Sequence, residues 1–126
     1  YQQPIDHDSL LLEKEYLFRD NLNTLYKYTR DLNSIPIFIT QKTLRGTKNN
    51  DIILSISKED YFSYEKRIAK IIINFCFKKN LFCIDLNEEL NFIETDFYDL
   101  VHTSPKGSEK IAEYIFQNIH KRISFH

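Results

Sequence analysis

An acid and an imidazole stand three residues apart in DFYDLVHTSPKGSEKIAEYI, residues 96–115, as Asp99 and His102. On a turn, that offset can bring both side chains to one side. The carboxylate then accepts the Nδ1–H of the ring, fixing its tautomer and favouring its protonated form. The other ring nitrogen is left to work as a general base, so the pair amounts to the base and orienter of a hydrolytic triad. A structural role competes with this: an acid ahead of a helix start favours the positive end of the helix dipole without any chemistry. Ser104 and Pro105 mark such a start, as N-cap and first helical residue.

The elements that must hold this pair can be read from the apolar spacing. Residues 9–31 carry Leu11, Phe18, Leu22, Leu25 and Thr29 at helical intervals behind Ser9 as N-cap, which predicts a helix. IPIFIT, residues 35–40, is short and rich in β-branched residues, and predicts a strand buried on both faces. Residues 41–57 read as a loop containing Gly46 and an apolar patch at Ile52–Leu54, a minor strand or a plug under the loop. From Glu59 to Lys79 a second helix has Tyr61, Tyr64, Ile68, Ile71, Ile72 and Phe75 as its apolar stripe. LFCIDL, residues 81–86, predicts a second buried strand, followed by a short acidic segment through Glu89. The last helix begins near Pro105, with Ile111, Ala112, Ile115, Phe116, Ile119 and Ile123 facing inward.

Long helices alternating with short buried strands predict an α/β layered fold with a thin parallel sheet. In open sheets of that kind ligands collect beyond the carboxyl ends of the strands. Thr40 and Gln41 leave the first strand at that rim, and the stretch from Asp85 to the Asp99–His102 turn leaves the second. Thr40 and Gln41, with Tyr98 beside the acid–imidazole pair, are therefore candidate substrate-lining residues. Loop hydrogen bonding and core packing are their competing roles.

Composition narrows the partners. A chain of 126 residues is at most one domain, with an ordinary apolar fraction of 42% and charged fraction of 28%. A net charge of −1 with scattered Lys and Arg argues against nucleic acid. No apolar run reaches the roughly 20 residues of a membrane span. With only two glycines, Gly46 and Gly107, there is no phosphate-cradling loop and no nucleotide chemistry of that type. No metal or cofactor motif is present either: Asp6, His7 and Asp8 read as a solvated N-terminal segment, and His120 and His126 as helix-end cations. Glu88, Glu89, Glu94 and Asp96 read as a solvated acidic loop before Asp99, although a paired-carboxylate glycosidase can be drawn from them. Cys76 and Cys83 read as buried free thiols, a disulfide requiring the helix end and strand start to approach closely. The chain opens on Tyr1 rather than Met, which suggests a processed product or a piece of something longer. Its compartment stays open.

Asp99, His102, Pro105, Gly107 and Ala112 together resemble the C-terminal block of the SGNH/GDSL hydrolase family. That block runs D-x-x-H, a Thr/Ser-Pro helix start, a Gly five residues after the His and an Ala five further on. The upstream order also resembles that family: a helix, IPIFIT ending in a Thr, a second helix and a strand ending IDL. The likeness runs from roughly Glu15 to Ile123. It implies a three-layer, flavodoxin-like parallel sheet with flanking helices, of which residues 1–126 form the C-terminal part, lacking the N-terminal strands. It also implies a Ser-dependent esterase or deacylase that needs no cofactor, with His102 as general base and Asp99 as its orienting partner. The G-D-S block that carries the nucleophile and the G-x-N-D block that completes the oxyanion hole are both absent from this sequence. Ser9, Ser34, Ser55, Ser57, Ser63, Ser104 and Ser108 all lack that context. The serine is thus expected from a missing N-terminal segment or a second chain, which would also cover the inner edge of IPIFIT. The implied substrate is a small acyl ester, such as an acylated glycan or lipid. The alternative is a non-catalytic binding or assembly domain derived from the same scaffold.

Overall fold

The computed structural model describes residues 7–44 and 58–123. Helix α1 spans His7–Asp31 and α2 spans Lys58–Lys79, with strand β1 (Phe38–Ile39) between them. Strand β2 (Cys83–Ile84), the one-turn helix α3 (Leu86–Glu89), a 3-10 turn at Glu94–Asp96 and helix α4 (Pro105–Arg122) follow. The expected order of helices and strands is kept, but α1 begins ahead of Ser9, which is therefore not its N-cap. Gly46 and the Ile52–Leu54 patch lie outside the described residues.

The fold class differs from the flavodoxin-like, three-layer expectation. About two thirds of the described residues are helical, and the sheet is one parallel pair with Phe38 opposite Cys83 and Ile39 opposite Ile84. IPIFIT contributes two paired residues, and its flank is not buried: Ile35 is 72% exposed. The physical reason is local at both ends. Pro36 has no N–H to offer a ladder. On the second segment Asp85 ends the strand by turning its carboxylate onto the Glu88 N–H at 3.3 Å, which caps α3. One further ladder bond, Thr40 N–H to the Ile84 carbonyl at 3.0 Å, extends the pair by a single residue.

Two buried clusters hold these elements. In the first, Leu22 of α1 meets Ile71 and Phe75 of α2, flanked by Phe18, Tyr26, Phe38 and Leu81. Tyr26 and Phe38 both meet the Phe75 ring edge to face, at 6.1 and 5.6 Å between centroids. In the second, Leu44, Phe92 and Phe97 pack with Ile111 of α4. Leu25, expected inward, is exposed on α1, as are Ala112 and Phe116 on α4 and Ile123 just past its end. Each of these helices buries one narrow stripe, because no further layer lies against its other faces among the described residues.

Asparagine replaces glycine where the long helices stop. Asn33 and Asn80 adopt φ of 56° and 54°. At each, the next N–H reaches five residues back, Ser34 to the Thr29 carbonyl at 3.0 Å and Leu81 to Cys76 at 2.8 Å. The pattern is the Schellman closure, with Asn as the left-handed residue. The second of these turns swings the chain back under the end of α2 and brings Cys76 and Cys83 to a Cα separation of 6.2 Å, where they form a disulfide. The free-thiol reading is thereby corrected.

Candidate active site

The Asp99–His102 pair sits at the tip of a tight loop closed on both sides. Phe97 and Thr103 form an antiparallel bridge, and the Tyr98 N–H donates to the His102 carbonyl at 2.9 Å. Inside the loop, Asp99 Oδ1 accepts the N–H groups of Val101 and His102, both at 2.8 Å. This is an Asp-type turn, in which the side chain mimics a backbone acceptor. With the carboxylate so fixed, its Oδ2 meets His102 Nδ1 at 2.9 Å. A carboxylate facing Nδ1 selects the tautomer with the proton there, and leaves Nε2 bare. The backbone N–H groups of His102 and Val101, then the His102 ring, hold the Asp99 carboxyl far below the usual carboxylate range.

Below this loop, the start of α4 is locked to the 3-10 turn. Ser104 Oγ accepts the Gly107 N–H at 3.2 Å and donates to the Thr95 carbonyl at 2.8 Å, while the Ser104 N–H reaches the Asp96 carbonyl at 2.8 Å. Gly107 lies so close to Asp96 that a Cβ there would collide with the Asp96 carbonyl. The Asp96 side chain is fully buried, with Oδ2 accepting from Lys110 Nζ at 2.6 Å and from the Ile93 N–H at 2.9 Å. Burial alone would raise its carboxyl, but those two donors outweigh it and the net direction is down. Asp96 is thus an internal tie, not part of a solvated acidic loop. The other acids disperse as well: Glu88 pairs with Lys66 at 2.7 Å, and Glu89 accepts from the Tyr114 hydroxyl. Asp96, Glu88 and Glu89 are thus each engaged with a separate partner.

The rim residues have different fates. Thr40 is 1% exposed, and its hydroxyl donates to Asp85 Oδ1 at 2.8 Å while accepting the Asn87 N–H at 2.9 Å. It ties β1 to α3 and presents nothing to a ligand. Gln41 is exposed and borders a cavity of about 300 Å³ between α1, α2 and the end of β1. Tyr98 is 74% exposed beside the pair. No hydrogen bond joins Thr40 or Gln41 to the Asp99–His102 loop, and neither Asp99 nor His102 lines the cavity.

A polar cluster at the rim escaped the reading of the sequence. Glu65 of α2 accepts the Thr43 N–H at 2.9 Å and the Asn87 amide at 3.2 Å on Oε1, and the Thr43 hydroxyl at 2.6 Å on Oε2. Lys42 Nζ donates to the Asn87 carbonyl at 2.9 Å. Burial pushes the Glu65 carboxyl up and the Lys42 ammonium down, the latter helped by the charge of Lys66. One signal was legible: Asp85 with Glu88 three residues on is a helix-start pattern. The long-range partners Thr43 and Glu65 had none.

Among the described residues no three His, Cys, Asp or Glu side chains gather as a metal site, and no helix is long and apolar enough to cross a membrane. Among the described residues no serine hydroxyl bonds to the His102 ring; Ser104 is occupied as the cap, and Ser108 Oγ shares a 2.8 Å hydrogen bond with Thr103. Comparisons with family models, with curated proteins and with solved structures return no match.

Proposed function

We propose that Asp99 and His102 are the orienter and general base of a Ser-dependent ester hydrolase whose nucleophile comes from outside this chain. The observation that carries the proposal is the 2.9 Å contact between Asp99 Oδ2 and His102 Nδ1, made by a carboxylate already held by two backbone N–H groups. A pre-fixed carboxylate holds the ring in one orientation at no cost at the moment of reaction. In acyl transfer the bare Nε2 would take the proton of an attacking serine hydroxyl and return it to the departing alkoxide. The likeness of Asp99, His102, Pro105 and Gly107 to the SGNH/GDSL block supports the same reading. The substrate class it favours is a small acyl ester, with Tyr98 exposed beside the ring to contact it. The serine and the oxyanion donors would be brought by another segment or a second chain docking against the exposed loop.

A second reading is favoured by the exposure of that loop, with the Asp99 and His102 side chains 57% and 76% accessible. A general base normally works in a water-poor site. An exposed pair suits a scaffold that retains the turn for its structure and serves in binding or assembly. Aryl-acetate hydrolysis by the assembled protein separates the two. The enzyme reading expects His102→Ala to lower kcat by about 10³-fold or more. Unchanged turnover in that variant would remove His102 from the mechanism and favour the binding domain.

A further inference from the structure

The cavity of about 300 Å³ shares no residue with the Asp99–His102 loop. Its walls are apolar: Phe18 of α1, Ile39 of β1, and Tyr64, Ile68 and Ile72 of α2. Gln41, Thr43 and Glu65 give it one polar end. An apolar hollow of this size with a few converging polar groups is the usual make-up of a small-molecule site.

The polar end centres on the Glu65 carboxyl. An ionised carboxylate offers about four acceptor positions. Glu65 uses two on Oε1, for Thr43 and Asn87, and one on Oε2, for the Thr43 hydroxyl. One position on Oε2 is left. Among the described residues no ammonium or guanidinium forms an ion pair with Glu65. Lys42 attracts it from a distance but gives its own ammonium to the Asn87 carbonyl, and Lys66 reaches Glu88 at 2.7 Å. A half-buried anion therefore stands at the head of an apolar cavity, held rigid by three donors. Burial already drives its carboxyl upward, a cost that a cation arriving at Oε2 would reverse.

We propose that this cavity binds a small amphiphilic cation, an alkylammonium or aralkylammonium of about six carbons. Its ammonium donates to Glu65 Oε2, and its hydrocarbon lies between Phe18, Tyr64 and Ile68. The charged head accounts for the anion, and the tail for the walls.

The test is a titration of ¹⁵N-labelled protein at neutral pH with hexylammonium, hexanol and hexanoate, three ligands of one length and different heads. Hexylammonium is expected to bind saturably, to shift the amides of Thr43, Glu65 and Ile68, and to bind about tenfold or more tighter than hexanoate. Glu65→Gln can keep all three hydrogen bonds, because its amide accepts on one side and donates to the Thr43 hydroxyl on the other. In that variant the preference for hexylammonium over hexanol is expected to vanish. The proposal is overturned if no ligand gives saturable shifts or the shifts map elsewhere. Hexanoate or hexanol matching hexylammonium on the wild-type protein would also overturn it, as would an unchanged preference in a folded Glu65→Gln protein. The wild-type comparison decides even if the variant does not fold.

Discussion

Asp99 shapes its loop as well as meeting the His102 ring, because two of its contacts are to the backbone N–H groups of Val101 and His102. Of the candidate site residues, this pair alone had a spacing from which its contact could be read. Thr40 shows the opposite case: a hydroxyl leaving a strand looks available in one dimension, yet Asp85 and Asn87, more than forty residues away, consume it. Glu65 gives a prediction at the same scale. Its folded carboxyl is raised above the unfolded value near 4.3. A raised carboxyl costs stability when ionised, so the cost is fully present above the folded pKa and is relieved as pH falls through it. Glu65→Gln is therefore expected to melt at or above the wild-type temperature at neutral pH, with the advantage shrinking on acidification. Glu65→Leu removes the acceptor used by the Thr43 N–H, the Thr43 hydroxyl and one Asn87 amide hydrogen, and is expected to lose about 1–3 kcal/mol at every pH. Thermal melts of the three proteins between pH 4 and pH 8 check both signs, and a Gln variant gaining on wild type as pH falls would contradict them.

At the level of elements, helix existence was legible and helix surroundings were not. The stripes on α1 and α2 announce helices because 3.6-residue spacing is a local property. What faces Leu25 or Phe116 is not local, and both are exposed. The strands fared worse, since β-branched composition says that a segment can pair, while the length that does pair depends on its neighbours. The start of α4 is the best-specified element. Ser104, Pro105 and Gly107 each have a definite task there: cap, first residue, and close approach to Asp96. A methyl group at Gly107 must push α4 off the 3-10 turn. Gly107→Ala is expected to destabilise by about 1–3 kcal/mol as an overpacking change, despite alanine's better helix propensity. Chemical denaturation measures it. A variant as stable as wild type would mean that α4 is not seated on Asp96.

Across the described residues the molecule has two small cores joined through β1, β2 and the segment after them, not a slab of sheet between helix layers. A layered fold was inferred from alternation alone, and alternation is satisfied by a single two-residue pair. The disulfide was hidden for a related reason: a spacing of seven positions between cysteines says nothing until the Asn80 turn folds the chain back. In so small a core a cross-link matters globally. Replacing Cys76 and Cys83 with alanine is expected to remove about 2 kcal/mol, lowering the melting temperature by roughly 6–12 °C. A double variant that melts with the wild type would show that the bridge contributes nothing to the fold.

The proposed function requires that the Asp99 carboxylate fix the His102 imidazole for proton transfer. Long-range ¹H–¹⁵N correlation of the His102 ring tests it most directly, in wild type and in Asp99→Ala, at a pH where the ring is neutral. The wild-type ring is expected to carry its proton on Nδ1 with Nε2 bare, and the variant to lose that bias. A wild-type ring protonated on Nε2, or one whose tautomer is indifferent to Asp99, would contradict the account.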